Sequence, residues 1–182
     1  YDICDFIAGQ RYHPDWTRVG GAMQDLPDEA VFKKMVKRFI DEELAQAIAD
    51  MENLLMRNRI FIDRVANIGT IGKEEAIAWG LSGPCARASG VERDPYLCYQ
   101  KNWDGQGADP VDFKVIVHED GDAFARFHVR MEEMKQSAHI IRQLIDDIPG
   151  GPIDTFADGK IVKPDKKDVY GSIEGLIQHF EI

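Results

Sequence analysis

Arginine and histidine side chains are concentrated in one short segment of the chain. The stretch GQRYHPDWTRVGG, residues 9–21, brings Arg11, His13 and Arg18 within eight residues of one another, ahead of two glycines. Positive charge on neighbouring arginines disfavours protonation of an imidazole, and negative charge nearby favours it. His13 is therefore a candidate to take up a proton when an adjacent redox centre gains an electron. Taken alone, however, the residues favour a solvated basic turn.

A second candidate is the small-residue stretch GLSGPCARASG, residues 80–90. Seven of its eleven residues are Gly, Ala or Ser, and one arginine, Arg87, stands among them. Small residues let a backbone bend sharply or approach another surface closely. Arg87 is expected either to anchor this loop to an acidic side chain or to face a partner, and we favour the anchor; contact with a cofactor is a weaker expectation.

Other patterns are rejected as sites. The stretch NIGTIGKE, residues 67–74, has Asn67 where a phosphate-binding loop needs glycine and Glu74 where it needs Ser or Thr. Its glycines are expected to shape a turn before a helix, with Thr70 as a possible cap. The sequence has no CxxC or HExxH pattern. His128 and Glu132 stand four apart, which favours a surface ion pair over a metal site, so no metal site is predicted.

The composition excludes several classes of protein. There are 32 acidic and 22 basic residues, for a net charge of −10, which argues against nucleic acid as a partner. No run approaches 18 apolar residues, so no membrane span is predicted. The three cysteines, Cys4, Cys85 and Cys98, are odd in number and widely spaced, which favours a reduced setting over a disulfide framework. Because the chain does not begin with Met, we expect a fragment of a longer protein.

The hydrophobic pattern predicts a mainly α fold with a small β excursion, in a single domain over residues 1–182. One long helix is predicted near residues 28–56 and a second near 122–147, antiparallel and with their apolar lines facing each other. A short helix over 73–79 ends at Gly80, and another covers 167–180. The alternation in VDFKVIV, residues 111–117, predicts a strand, with PYLCY, residues 96–100, as a possible partner.

Four motifs, in order, carry a resemblance to a known family. They are GQRYHPDWTRVGGAMQDLP, NRIFIDRVANIGTIGKEEAIAWGLSGPCARASGV, FARFHVRMEEMKQSAHIIRQLID and SIEGLIQHF. The chain resembles the D-type, forty-nine-kilodalton subunit of the NADH-quinone oxidoreductases of respiratory complex I. That family is related to the large subunit of nickel-iron hydrogenases, whose long antiparallel helices the resemblance implies here. It also implies a central fragment, without the N-terminal part and the C-terminal third of the family.

The resemblance implies a function for the basic segment. In this family the subunit packs against a neighbour that carries the terminal iron-sulfur cluster, and quinone is reduced in a cavity between the two subunits, coupled to proton pumping. The histidine that matches His13 lies near the cluster, and the arginines that match Arg11 and Arg18 lie in the same neighbourhood. The fragment itself is expected to bind no cofactor directly and to be inactive alone, whereas the whole complex uses NADH, quinone and iron-sulfur clusters.

The resemblance also implies partners and a location. We expect the iron-sulfur subunit and other complex I subunits as partners, contact with the membrane only through them, and a place at the cytoplasmic face of the inner (cell) membrane. Two alternatives stay open: the large subunit of a membrane-bound (group 4) nickel-iron hydrogenase or of a related complex, and a non-catalytic interaction domain of the same fold. Local departures from the family pattern are Pro14, Val19, His139 and the stretch 91–122.

Overall fold

The computed structural model describes residues 1–18, 20–94, 111–148, 150–153 and 164–181, with Arg18 and Glu181 described by their backbone alone. The chain divides into two compact units. Unit 1 comprises Tyr1–Val36 and Pro149–Ile182, and unit 2 comprises Lys37–Ile148. The single domain over 1–182 expected from the sequence stays a prediction.

The described residues form a mainly helical fold, as the sequence predicts. In unit 1 the elements are α1 (Asp2–Ala8), the paired strands β1 (Thr17–Arg18) and β2 (Gly21–Ala22), the start of α2 (Glu29–Arg38), α8 (Lys166–Gly171) and α9 (Ile173–Glu181). Unit 2 contains π1 (Phe39–Glu43), α3 (Leu44–Met51), π2 (Glu52–Met56), α4 (Arg59–Val65), α5 (Lys73–Ala78), α6 (Gly83–Ala88) and α7 (Ala123–Leu144). No described helix is long and apolar enough to cross a membrane.

The first long helix predicted from the sequence is confirmed. Helical backbone runs without a break from α2 through π1 and α3 to π2, residues 29–56. Asp28 begins it by accepting a hydrogen bond from the Val31 N–H at 3.0 Å. The buried residues Val36, Ile40 and Ile48 are spaced by fours and eights. Four residues overshoot one α-helical turn by about 40°. The wider i→i+5 turn of π1 offsets that drift and keeps these residues on one face.

The second long helix, α7, is also confirmed and lies antiparallel to the first. Ion pairs join the two, and later residues of one meet earlier residues of the other: Lys37 with Asp146, Asp41 with Arg142, and Glu52 with Lys135. The buried residues at the apolar contact between them are Ile40 and Ile48 of the first helix and Ala138 of α7. Ile40 and Ile48 belong to the apolar line that the sequence predicts, whereas Ala138 does not.

The strand predicted over 111–117 is wrong. Residues 111–117 are not in a strand, and two glutamines of α7 bind backbone groups of this segment. Gln143 Oε1 accepts from the Asp112 N–H at 2.9 Å and its Nε2 donates to the Asp112 carbonyl at 2.7 Å. Gln136 Oε1 accepts from the Lys114 N–H at 3.0 Å. Side-chain amides thus satisfy backbone groups that a β-ladder would otherwise pair. The partner proposed for the strand, residues 96–100, lies outside the described residues.

The shorter helices lie where the sequence predicts them, but they differ from the prediction in how α5 is capped and in a break at Ser172. Gly80, at φ 66°, follows α5 as expected. The cap proposed for Thr70 is wrong, because Gly72 is the N-cap of α5 and no side chain caps it. The helix predicted over 167–180 is broken at Ser172, which is extended. The Ser172 hydroxyl accepts from the Gly175 N–H at 3.0 Å and donates to the Asp168 carbonyl at 3.1 Å, and so competes with the helical hydrogen bonds.

Candidate functional site

The basic segment forms a fixed turn in unit 1. Strand β1 pairs antiparallel with β2, and the Met23 N–H donates to the Trp16 carbonyl at 2.7 Å. The Trp16 indole donates to the Gln24 carbonyl at 3.0 Å, and the Gln24 amide donates to the Ile7 carbonyl at 2.8 Å. These bonds tie both sides of the turn to α1. We call residues 9–24 the basic turn, and its described residues are therefore held in place by their own unit.

His13 lies at the exposed end of the basic turn. Its φ is 47°, in the left-handed region that non-glycine residues seldom adopt. The Asp15 N–H donates to Gln10 Oε1 at 3.1 Å across this bend and closes it. The side chain of His13 is exposed. The sequence identified the residue, but its left-handed backbone could not be predicted from the residue type.

The structure places Arg11, His13 and Arg18 in the same turn, but between the side chains of Arg11 and His13, the two that it describes, it shows no contact. Arg11 is exposed, and its guanidinium carbon lies 5.9 Å from the centre of the Tyr1 ring, within cation–π range. Tyr1 in turn packs on Tyr12, with ring centres 4.6 Å apart. The backbone of Arg18 pairs with Gly21 in the hairpin, and its side chain lies outside the described residues. Whether the three residues act together stays a prediction.

Arg87 is set differently, in the interior of unit 2. The stretch predicted to be a loop contains the short helix α6, and the side chain of Arg87 is only 8% exposed. Its Nε donates to Glu133 Oε1 of α7 at 2.5 Å, and its Nη1 lies 3.7 Å from Asp94 Oδ2. Nη1 also donates to the Arg93 carbonyl at 3.0 Å. Arg87 thus anchors its segment to acidic side chains, as favoured from the sequence, while its contact with a cofactor stays a prediction.

A second buried connection in unit 2 was missed by sequence reasoning. Asp122 is 5% exposed and accepts hydrogen bonds from the Asn67 N–H at 2.6 Å and the Ala125 N–H at 2.7 Å. Burial acts to raise the pKa of this carboxyl. The two N–H donors, with the charges of His118 and Arg126, outweigh burial and hold the pKa below its ordinary value. One carboxylate therefore caps α7 and fixes the loop before α5.

Gly121, next to Asp122, is where the backbones in this region come closest. A Cβ at this position would overlap the Ile71 carbonyl oxygen, and φ is 66°. The Gly121 N–H donates to the Ala88 carbonyl at 2.9 Å, and its carbonyl accepts from the Ile71 N–H at 3.0 Å. Arg126 donates to the carbonyls of Gly69 and Gly121. We call Ile71, residues 87–90, His118, residues 121–126 and Glu133 the buried hub, because each of them is buried or partly buried.

The histidines of unit 2 form no metal site among the described residues. No group of three or more His, Cys, Asp and Glu side chains there is placed to hold a metal ion. The ion pair predicted between His128 and Glu132 is replaced by one between Glu132 and Lys135 at 2.7 Å. His128 lies instead edge-to-face with His118, with ring centres 5.3 Å apart.

Comparisons with known proteins cover the whole chain. Residues 1–182 match the family described as respiratory-chain NADH dehydrogenase, 49 kDa subunit. The chain is 41% identical over 185 residues to the D-type subunit of NADH-quinone oxidoreductase from Akkermansia muciniphila, covering 99% of the chain and 42% of that protein. It is 41% identical over 181 residues to the D-type subunit from Myxococcus xanthus, covering 97% and 40%.

A third relative is named for two subunit types, C and D. The chain is 40% identical over 180 residues to the C/D-type subunit of NADH-quinone oxidoreductase from Bdellovibrio bacteriovorus, covering 99% of the chain and 31% of that protein. The chain thus spans 42% or less of the length of each of these three curated relatives.

Proposed function

The chain belongs to the family of the 49 kDa subunit of respiratory-chain NADH dehydrogenase, and we propose that it is the central part of a longer subunit in a proton-translocating NADH-quinone oxidoreductase. The observation that carries the proposal is the match of the whole chain to the family, together with relatives named as D-type subunits of that enzyme. In this proposal the longer subunit helps to form a quinone cavity beside the terminal iron-sulfur cluster, and turnover is a property of the assembled complex.

The proposal assigns the cofactor to a partner. The cluster is carried by a neighbouring iron-sulfur subunit, where it supplies one-electron transfer, and quinone is the substrate at the boundary between the two subunits. Other subunits of the peripheral arm complete the assembly and link it to the membrane at its cytoplasmic face. The part played by this chain is placement and electrostatics, because its residues shape one side of the boundary.

The basic turn is the part of this chain proposed to face the cluster. Its end is exposed and its backbone is fixed by Trp16 and Gln24, so it can present His13 to a partner in one position. An imidazole is protonated more readily where negative charge lies nearby. An added electron nearby favours the protonated imidazole. His13 therefore takes up a proton in response to reduction and lies outside the path of the electron.

The test is a redox titration of the intact complex at several pH values, followed by electron paramagnetic resonance. If reduction favours a proton on His13, the midpoint potential of the neighbouring cluster falls as pH rises. His13→Ala should leave the cluster assembled and flatten that dependence. His139→Ala is the matched control, because it removes an exposed histidine of unit 2 and should leave the slope as in the unsubstituted complex. An unchanged slope with His13→Ala would make His13 a structural residue of a basic turn.

A further inference from the structure

An open apolar groove runs in unit 2 between α7 and the part of the first long helix that spans residues 40–52. It has a volume of about 300 Å³ and is floored by Ile40, Ile48 and Ala138, which are buried. Ala45 and Ala49 of α3 form one wall, and both are exposed. Alanines one turn apart leave room for another backbone to approach closely, at the short end of the usual distance between helices.

Ion pairs mark the two ends of the groove. Arg142 bridges to Asp41 at 2.8 Å at one end, and Lys135 bridges to Glu52 at 2.6 Å at the other. The eleven residue steps from 41 to 52 correspond to about 16 Å of helix. The groove is therefore about three helical turns long.

The charges at the rim decide what kind of molecule fits. Lys135 also bonds to Glu132 at 2.7 Å, and its hydrogen bonds to Glu132 and Glu52 raise the pKa of its ammonium group. Counting Asp41, Glu52 and Glu132 against Lys135 and Arg142 leaves one negative charge in excess. Both bases are already paired with carboxylates, so an anionic head group would have to compete with those carboxylates for them. An occupant with an apolar face and a basic residue near Glu132 is complementary.

We infer that this groove seats an amphipathic α-helix from the remainder of the same subunit. The inference rests on the proposed function, which makes the chain part of a longer subunit. A helix about three turns long would lay aliphatic or small residues over Ala45 and Ala49, as in other helix-in-groove contacts. The relatives supply the chain that this requires, because more than half of the length of each lies outside the match.

A second copy of this chain is a weaker candidate for the groove. Helix α9 exposes the apolar side chains of Ile173, Ile177 and Phe180, so it has a face of the right kind. Its first turn, however, carries Glu174, and the rim already has an excess of acid. This alternative is therefore kept as an outcome of the test.

Cysteine labelling of two alanines on the same helix provides the test. Ala49→Cys lines the groove, and Ala47→Cys, also exposed on α3, does not. Both are made in a background in which Cys4, Cys85 and Cys98 are replaced, and circular dichroism verifies that each variant is folded. The rate of maleimide labelling is measured in the 182-residue chain, in the full-length subunit alone and in the assembled complex.

The inference predicts that a cysteine at position 49 is protected from labelling once the rest of the subunit is present. Ala49→Cys should react readily in the 182-residue chain and at least about tenfold more slowly in the full-length subunit alone, while Ala47→Cys reacts alike in both. Protection that appears only in the assembled complex would assign the groove to a partner subunit. Protection in the 182-residue chain that is lost on dilution would assign it to a second copy.

Equal reactivity of Ala49→Cys in every sample would show that the groove stays open. Each of these three results overturns the inference. The proposed function is tested separately, by measuring whether the unsubstituted subunit is incorporated into an active complex. If the groove stays open in a subunit that still assembles into an active complex, the inference is contradicted and the proposed function is not.

Discussion

The basic turn of unit 1 and the buried hub of unit 2 are built from similar residues and placed in opposite settings. Both are rich in glycine and carry arginine and histidine side chains. In the turn, His13 and Arg11 are exposed. In the hub, Arg87 and Asp122 are buried, and their charged groups bond to side chains or backbone of their own unit. Exposed charge is available to a neighbour, whereas buried charge is committed to the fold.

Crowding at Gly121 gives the largest difference expected between the two regions. Gly121→Ala places a methyl group on the Ile71 carbonyl in a backbone region that L-residues disfavour, so we expect a loss of at least about 4 kcal/mol or failure to fold. Gly9→Ala, in the basic turn, is the matched control, because its φ is also 66° while nothing lies within 4 Å of its added Cβ. Urea unfolding of the chain measures both. A Gly121→Ala variant as stable as the control would mean that the hub is not closely packed.

The Arg87–Glu133 pair should give the next largest effect. Glu133→Gln keeps the shape of the side chain but leaves the buried guanidinium with Asp94 as its remaining carboxylate, at 3.7 Å. Leaving a buried charge short of its partner costs about 3 kcal/mol. Asp63→Asn is the control, since it breaks an exposed pair with Arg59 on α4 and should cost about 0.5 kcal/mol or less. Equal losses in urea unfolding would show that burial does not distinguish these pairs.

The Asp122 carboxylate makes the stability of the hub depend on pH. Its pKa is below the ordinary value of 3.8 when folded, so its contribution is complete above that value and is lost as pH falls through the folded pKa. Asp122→Asn keeps one oxygen to cap α7 but loses the second acceptor and the charge, so it should cost about 1–2 kcal/mol at neutral pH, as expected when a buried N–H loses its acceptor. The gap between variant and unsubstituted chain should narrow in unfolding measured below pH 3.8. A gap that is constant with pH would remove the carboxylate charge from the explanation.

The sequence predicted more of the fold than of the contacts within it. The two long helices follow from apolar spacing, and the anchoring of Arg87 follows from a lone arginine among small residues. The hub was missed because its main contacts are made by backbone groups and small residues such as Ala88 and Ala125, which carry little hydrophobic signal. The strand over 111–117 was mispredicted because alternation does not reveal that Gln136 and Gln143 replace a neighbouring strand.

The sequence likewise predicted some features of the candidate site and missed others. Residue types and spacing identified the basic turn, because charge patterns are visible in a sequence. The left-handed backbone of His13 and the position of Arg11 over the Tyr1 ring depend on how this segment folds, which residue types and spacing do not show. Exposure is also a property of the whole unit, so the sequence alone did not establish that Arg11 is exposed and Arg87 is buried.

Arg11 should show the smallest effect on stability, and that result would sharpen the comparison. Its side chain is exposed, and its described contact is the ring of Tyr1, so Arg11→Met should change the free energy of unfolding by no more than about 0.5 kcal/mol. Methionine keeps an unbranched apolar side chain and removes the charge.

If the turn serves a neighbour, the charge of Arg11 matters in the assembled complex. Arg11→Met should then shift the midpoint potential of the adjacent cluster downward, because loss of positive charge disfavours the added electron. The same redox titration as for His13 measures this shift, with Arg59→Met, an exposed arginine of α4, as control. A large loss of stability without any shift in potential would place Arg11 with Arg87, as a residue committed to its own fold.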